Sequence, residues 1–259
     1  MRAVASNHVP TTFIVLFGLG ILSGVTTALF GFGGGFVTVP VVYAVAARGP
    51  DAMHVAVGTS TAVMLVNSLG ATVTVVRAGR LRREYVWPLG GFIALGAGLG
   101  ALAATSVADG LLHALFAAYL ALTIVDSVLR RGFLTGGQPR PLGHVTASAG
   151  GAGIGAVAAF LGVGGSVLTV PLLRRRGLPM RDATALANPL SLPVAAVATA
   201  VYLLAPGPAA LDPVAAGLLL AGSLPAIAVL RRWPPAIPDR VHAVAYLGLL
   251  GAALVTVLA

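Results

Sequence analysis

The chain has 259 residues, 58% hydrophobic and 9% charged; soluble domains carry about a quarter charged residues, so it could not cover its own surface in water and reads as an integral membrane protein. At about 20 residues per spanning helix it has room for at most about ten crossings and for no separate water-soluble domain. The net charge of +9 comes from 16 basic residues, all arginine; nucleic-acid binding is a poor reading of them in such a chain, and the absence of cysteine excludes disulfides, thiolate nucleophiles, iron–sulfur clusters and sulfur-ligated metals.

Uncharged apolar stretches run over 11–30, 36–47, 53–76, 85–107, 111–129, 144–161, 166–173, 183–205, 211–230 and 241–259. The fold class expected is an all-α polytopic membrane protein with about ten membrane segments, eight long and two short and broken. The residues before the first stretch show no small-residue cleavage pattern, so no removable signal peptide is expected. The short pieces, 36–47 and 166–173, each follow a glycine cluster. If they were re-entrant, the arginines would divide eight against eight across the membrane. If each completes a crossing, only Arg2 and Arg48 share a side and the other fourteen lie together. Cytoplasmic loops collect positive charge, so ten segments are expected, with both termini outside the cytoplasm. Trp87 and Trp233, each close to an arginine cluster, fit an interfacial belt on the cytoplasmic side. An arginine-only basic set with abundant Ala, Gly and Pro points to a GC-rich bacterial genome, hence to a multi-pass protein of the bacterial inner membrane.

Residues 31–40 read GFGGGFVTVP and residues 162–171 read GVGGSVLTVP, six identities in ten at a constant offset of 131. Arg48-Gly49 and Arg176-Gly177 follow, and the VGTS run at 57–60 is set against LANP at 186–189. Two halves are therefore expected, 1–135 and 136–259, within one membrane domain. Five crossings per half turn the second upside down relative to the first, the arrangement of transporters that alternate access around a central site.

A glycine cluster inside a bilayer with no preceding strand and no Lys-Ser or Lys-Thr pair is not a phosphate loop. Glycines at 31 and 33 to 35 let the helix unwind and let a ligand approach the backbone. The freed amides, with the positive end of the half-helix that follows, make an anion site that needs no buried arginine. The substrate-binding residues expected are Gly33, Gly34, Gly35, Thr38 and Pro40 in the first copy and Gly164, Gly165, Ser166, Thr169 and Pro171 in the second. Thr59, Ser60 and Asn188 join them, as polar residues placed alike in the two halves. The competing reading gives the glycines to tight helix packing only. Thr61 is expected to bond back to its own preceding turn, and Asn67 and Ser68 to bond between helices. Asp126 is within helical reach of Arg130, and His54 is expected to be solvated at the outer interface. No paired carboxylates, histidine cluster or Ser/His/Asp set is assembled in the spans, so no catalytic residue, metal or cofactor is expected.

A glycine cluster with a proline about five residues on, a short loop and a GTS run in a spanning helix, all repeated in the second half, resembles the sulfite exporter TauE/SafE family of bacterial membrane permeases. The second copy departs from the pattern at Ser166 and at 187–189, where Ala-Asn-Pro replaces the GTS run. The resemblance covers nearly the whole chain and implies transport of a small sulfur-containing anion such as sulfite or an organosulfonate. The partners expected are that anion and the lipid bilayer, and the Gly- and Ala-rich surface admits a homodimer. The reading from another class is a membrane scaffold or assembly subunit without transport.

Overall fold

A computed structural model describes residues 8–45, 49–129, 133, 138–204 and 211–258. Arg2, Arg48, Arg130 and Arg131, used above to assign sides, lie outside them. Among the described residues the chain is helical, without strands, as a bilayer demands of a backbone that must satisfy its own hydrogen bonds. The helices are α1 (His8–Phe30), α2 (Gly35–Val45), α3 (Ala52–Arg77), α4 (Arg83–Val86), α5 (Leu89–Ala104), α6 (Asp109–Leu129), α7 (Gly151–Phe160), α8 (Ser166–Arg175), α9 (Met180–Leu204), α10 (Pro213–Arg232) and α11 (Asp239–Leu258). A turn of π-helix, Thr146–Gly150, leads into α7.

Seven helices are long and apolar enough to cross a membrane, α4 and α5 together counting as one. Eight long segments were expected; the eighth, 144–161, forms the shorter apolar helix Thr146–Phe160. It stops there because Leu161 to Gly165 leave the helix, with Gly162 at φ +66°. The two short pieces form α2 and α8, 11 and 10 residues long. At 1.5 Å per residue each covers roughly 16 Å, half of a hydrocarbon core of about 30 Å. Gly35, which starts α2, lies against Met64, the middle of α3. The preceding helix α1 runs deeper, since the Leu29 carbonyl meets His242 near the start of α11. The break at 31–34 therefore brings the chain back to mid-depth before α2 begins.

Two glycine-lined contacts hold the long helices. On α1, a Cβ at Gly20 or Gly24 would overlap the α10 backbone at Leu219 or Ser223. On α7, a Cβ at Gly151 would press on Leu89 of α5, and one at Gly155 would overlap the Ile93 backbone. These pairs are 131 residues apart, and α1 packs on α10 as α7 packs on α5. Backbones meet this closely where small residues recur four apart. α3 and α9 pack on each other between these pairs.

Carboxylates at two helix starts bind the ends of α3 and α9. Asp109, opening α6, accepts the amides of Met53 (3.0 Å) and His54 (3.1 Å). Asp239, opening α11, accepts the amide of Met180 (2.6 Å) and pairs with the buried Arg174. His54 is not simply solvated: Nδ1 lies 3.0 Å from Asp109 and Nε2 lies 3.1 Å from the Ala104 carbonyl. Asp126 reaches Arg175 on α8.

Candidate functional site

Both glycine breaks are unwound where the sequence suggests. Gly31, Gly33 and Gly34 have φ of +74°, +64° and +97°, a region L side chains rarely enter. Gly34 caps α2 by accepting the amides of Val37 and Thr38, and Gly165 caps α8 by accepting those of Leu168 and Thr169. The first amides of each half-helix have no carbonyl a turn earlier. The two breaks touch: a Cβ at Gly35 would stand 3.0 Å from the Gly162 carbonyl, and one at Gly164 2.8 Å from that of Phe32.

Ser60 ties them together. Its hydroxyl faces the carbonyls of Gly35 and Gly162 at 3.0 Å each and the Thr38 hydroxyl at 2.7 Å. Thr38 also lies 3.1 Å from the Gly34 carbonyl, so both hydroxyls are occupied. Pro40 and Pro171 sit inside α2 and α8, and each leaves the carbonyl four residues earlier without its amide. In the second copy that carbonyl, of Val167, accepts the Tyr246 hydroxyl at 3.3 Å. Thr59 stands apart from the breaks and accepts the Asp212 amide at 2.8 Å. Thr61 donates back to Gly58.

The polar atoms without hydrogen-bond partners are elsewhere. Around the first break the Ser23 hydroxyl and the Asn67 amide nitrogen lie 2.7 and 2.8 Å from where a Gly34 Cβ would stand. The Ser68 hydroxyl lies 2.5 Å from the equivalent point on Gly33. Around the second, the hydroxyls of Ser166, Thr169 and Ser191 are unpartnered, Ser191 standing 3.1 Å from a Gly164 Cβ. Asn188 donates its amide to the Thr27 carbonyl near the end of α1 and leaves only its Oδ1, an acceptor, unpartnered. All are buried. A buried polar group left unpaired costs about 1–3 kcal/mol, and the hydroxyls and the amide N–H among these groups are of the kind that can donate to an anion. Each side chain that meets Gly33, Gly34 or Gly164 is uncharged.

The structure thus brings the glycines to the breaks, Ser166 and Thr169 with free hydroxyls, Thr38 and Ser60 with occupied ones, and Asn188 with its donor taken by Thr27. Ser23, Asn67, Ser68 and Ser191 are the groups that sequence reasoning did not place there. An offset of 131 held constant through the third segments would have paired Ser60 with Ser191 and Ser68 with Thr199.

Below the first break Phe30 packs on His242 (ring centroids 5.1 Å apart) and Phe32 on Tyr246 (5.0 Å), an aromatic layer between the site and the arginine-bearing face. No curated protein and no solved structure matches this chain. Residues 16–257 match the profile of the family described as Sulfite exporter TauE/SafE. Spanning helices, two glycine breaks and a match over nearly the whole length agree, and the chain belongs to the TauE/SafE sulfite exporter family.

Proposed function

We propose that this protein is a secondary transporter that carries sulfite, an organosulfonate or a related small sulfur anion across the bacterial inner membrane by alternating access. The family is one of membrane transporters of sulfur anions. The observation that carries the reading is the set of unpartnered, uncharged hydrogen-bonding groups at two facing half-helix starts. A monoanion with several oxygens can accept from such groups. Helix N-termini add a favourable field worth about 0.3–1 kcal/mol each, and more when partly buried.

Two halves related by inversion support the alternating step. Exchanged packing of α1 on α10 and α7 on α5, glycines repeated at 131, and Asp109 and Asp239 capping α3 and α9 are what two such halves predict. Rocking one half on the other would separate the touching breaks at Gly35 and Gly162 and admit the anion between them. The test is flux of radiolabelled sulfite through proteoliposomes containing the purified protein. Saturable loss from preloaded vesicles above that of empty ones is expected; flux equal to empty vesicles with sulfite and alkanesulfonates alike would leave a scaffold.

A further inference from the structure

A cavity of about 530 Å³ lies on the arginine-bearing face, lined by no residue of the glycine breaks. Arg80, Arg181, Thr184 and His242 line it, with Leu29 where α1 ends. Its charge is unbalanced. Asp182 is shared between Arg80 (3.0 Å) and Arg82 (3.5 Å), and Asp239 is taken by Arg174 and the Met180 amide. Arg181 is exposed, and its guanidinium has no hydrogen bond or ion pair among the described residues, its carbonyl alone accepting from the Thr184 hydroxyl. The inner end of the cavity is two residues from the first break, since Leu29 lines it and the backbone of Thr184 lies against Gly31. The Phe30–His242 ring pair stands there.

We infer that this cavity is a second anion site, a loading vestibule in which Arg181 captures a small oxyanion before it passes the aromatic layer. Its role in loading rests on the transport reading; its charge selectivity does not. Guanidinium groups at the mouth of a low-dielectric cleft raise the local concentration of anions, and salt screens the effect over a Debye length of about 8 Å. The central site selects by neutral donors at short range, so the vestibule supplies the long-range attraction that site lacks.

The chain has no cysteine, so Ala185→Cys places a single thiol on the cavity wall, and Ala28→Cys offers a second position. The probes are two methanethiosulfonates, the anionic sulfonatoethyl and the cationic trimethylammonioethyl reagents, with each pair of rates divided by that for free cysteine. At low salt the anionic reagent should be favoured roughly tenfold, and Arg181→Gln or high salt should remove most of that preference. A normalised ratio near one at both positions, a ratio unmoved by Arg181→Gln, or thiols that neither reagent reaches overturns the vestibule. In proteoliposomes Arg181→Gln should raise the half-saturation concentration for sulfite more than it lowers turnover; the opposite split overturns the loading role. If the wild-type protein moves no sulfur anion while the charge preference stands, it is the transport reading that fails.

Discussion

Ser223 donates its hydroxyl to Asn67 Oδ1 over 2.8 Å, which fixes the Asn67 amide so that its nitrogen faces Gly34 with no partner of its own. α10 thus orients a donor that α3 carries to the start of α2. Removing one donor from a bound anion costs about 1.5–3 kcal/mol, so Asn67→Leu should raise the half-saturation concentration about tenfold or more. Asn67→Asp keeps the shape and sets an acceptor with negative charge against the ligand, and should abolish sulfite flux while the protein still inserts. Ser223→Ala, which only frees the amide to turn, should fall between Asn67→Leu and wild type. Flux in proteoliposomes at graded sulfite concentration checks the order, and full activity in Asn67→Asp would remove this residue from the site.

Thr59 and Ser68 lie nine residues apart on α3 in different surroundings. Thr59 accepts the Asp212 amide and so anchors the connection into α10, whereas Ser68 stands free beside Gly33. Thr59→Val should lower the midpoint of thermal unfolding in detergent and leave the half-saturation concentration within about threefold. Ser68→Ala should shift that concentration several-fold at nearly unchanged stability. A larger transport effect at Thr59 would restore the sequence-based placement.

What was legible follows from the range of each signal. Glycine clusters and prolines act on their own stretch of backbone, so the short helices expected at 36–47 and 166–173 appear as Gly35–Val45 and Ser166–Arg175. The faces of α3 and α9 depend on register. Setting 57–60 against 186–189 needs an offset of 129, two residues short of 131, and two residues turn a helix by about 200°. That slip exchanges the face bearing Ser60 and Ser191 for its opposite. Ser23 was out of reach for another reason: it stands beside Gly34 only because α1 continues past the level at which α2 begins. The GxxxG pairs at Gly20 and Gly24 and at Gly151 and Gly155 were present in the sequence, and they pack tightly between helices, as the cluster glycines Gly31, Gly35, Gly162 and Gly164 also do.

The two capping glycines should respond differently to a methyl group. Gly34 has φ +97°, and a Cβ there would crowd Ser23 and Asn67, so Gly34→Ala should abolish transport. Gly165 has φ −55°, and a Cβ would meet Ile154 at 3.4 Å and Val194 at 3.6 Å, ordinary contact distances. Gly165→Ala should keep flux within about twofold of wild type, since Gly and Ala differ by only a few tenths to about 1 kcal/mol at a helix cap. Loss of flux in both would mean that the second break must flex at Gly165.

Sidedness can be read with fusion reporters. Fusions after Arg83, Arg140, Arg176 and Arg232 should report cytoplasm, and those near Arg48 and at Ala259 the outside, as the arginine distribution requires. Arg48 and Arg176 reporting one side would leave no inversion between the halves.

Asp109 and Asp239 serve the same backbone purpose with unequal electrostatic weight. Asp109 accepts two amides of α3 and faces His54, and its side chain is 22% exposed. Asp239 accepts the Met180 amide and is also the carboxylate facing Arg174, a guanidinium that is 1% exposed and otherwise bonded to the carbonyls of Phe133 and Leu178. Asp109→Asn weakens a cap, worth about 1 kcal/mol. Asp239→Asn weakens a cap and also strips a buried cation of its counter-charge; breaking a fully buried pair costs about 3–5 kcal/mol, and the partial exposure of Asp239 lowers this toward about 2 kcal/mol through solvent screening. The Asp239 variant should therefore unfold at the lower temperature in detergent, and the second change Arg174→Met should recover part of the loss by removing the stranded charge. If Asp109→Asn proves the more damaging, the Arg174 pair contributes nothing to stability and the shared capping role is the whole function of both residues.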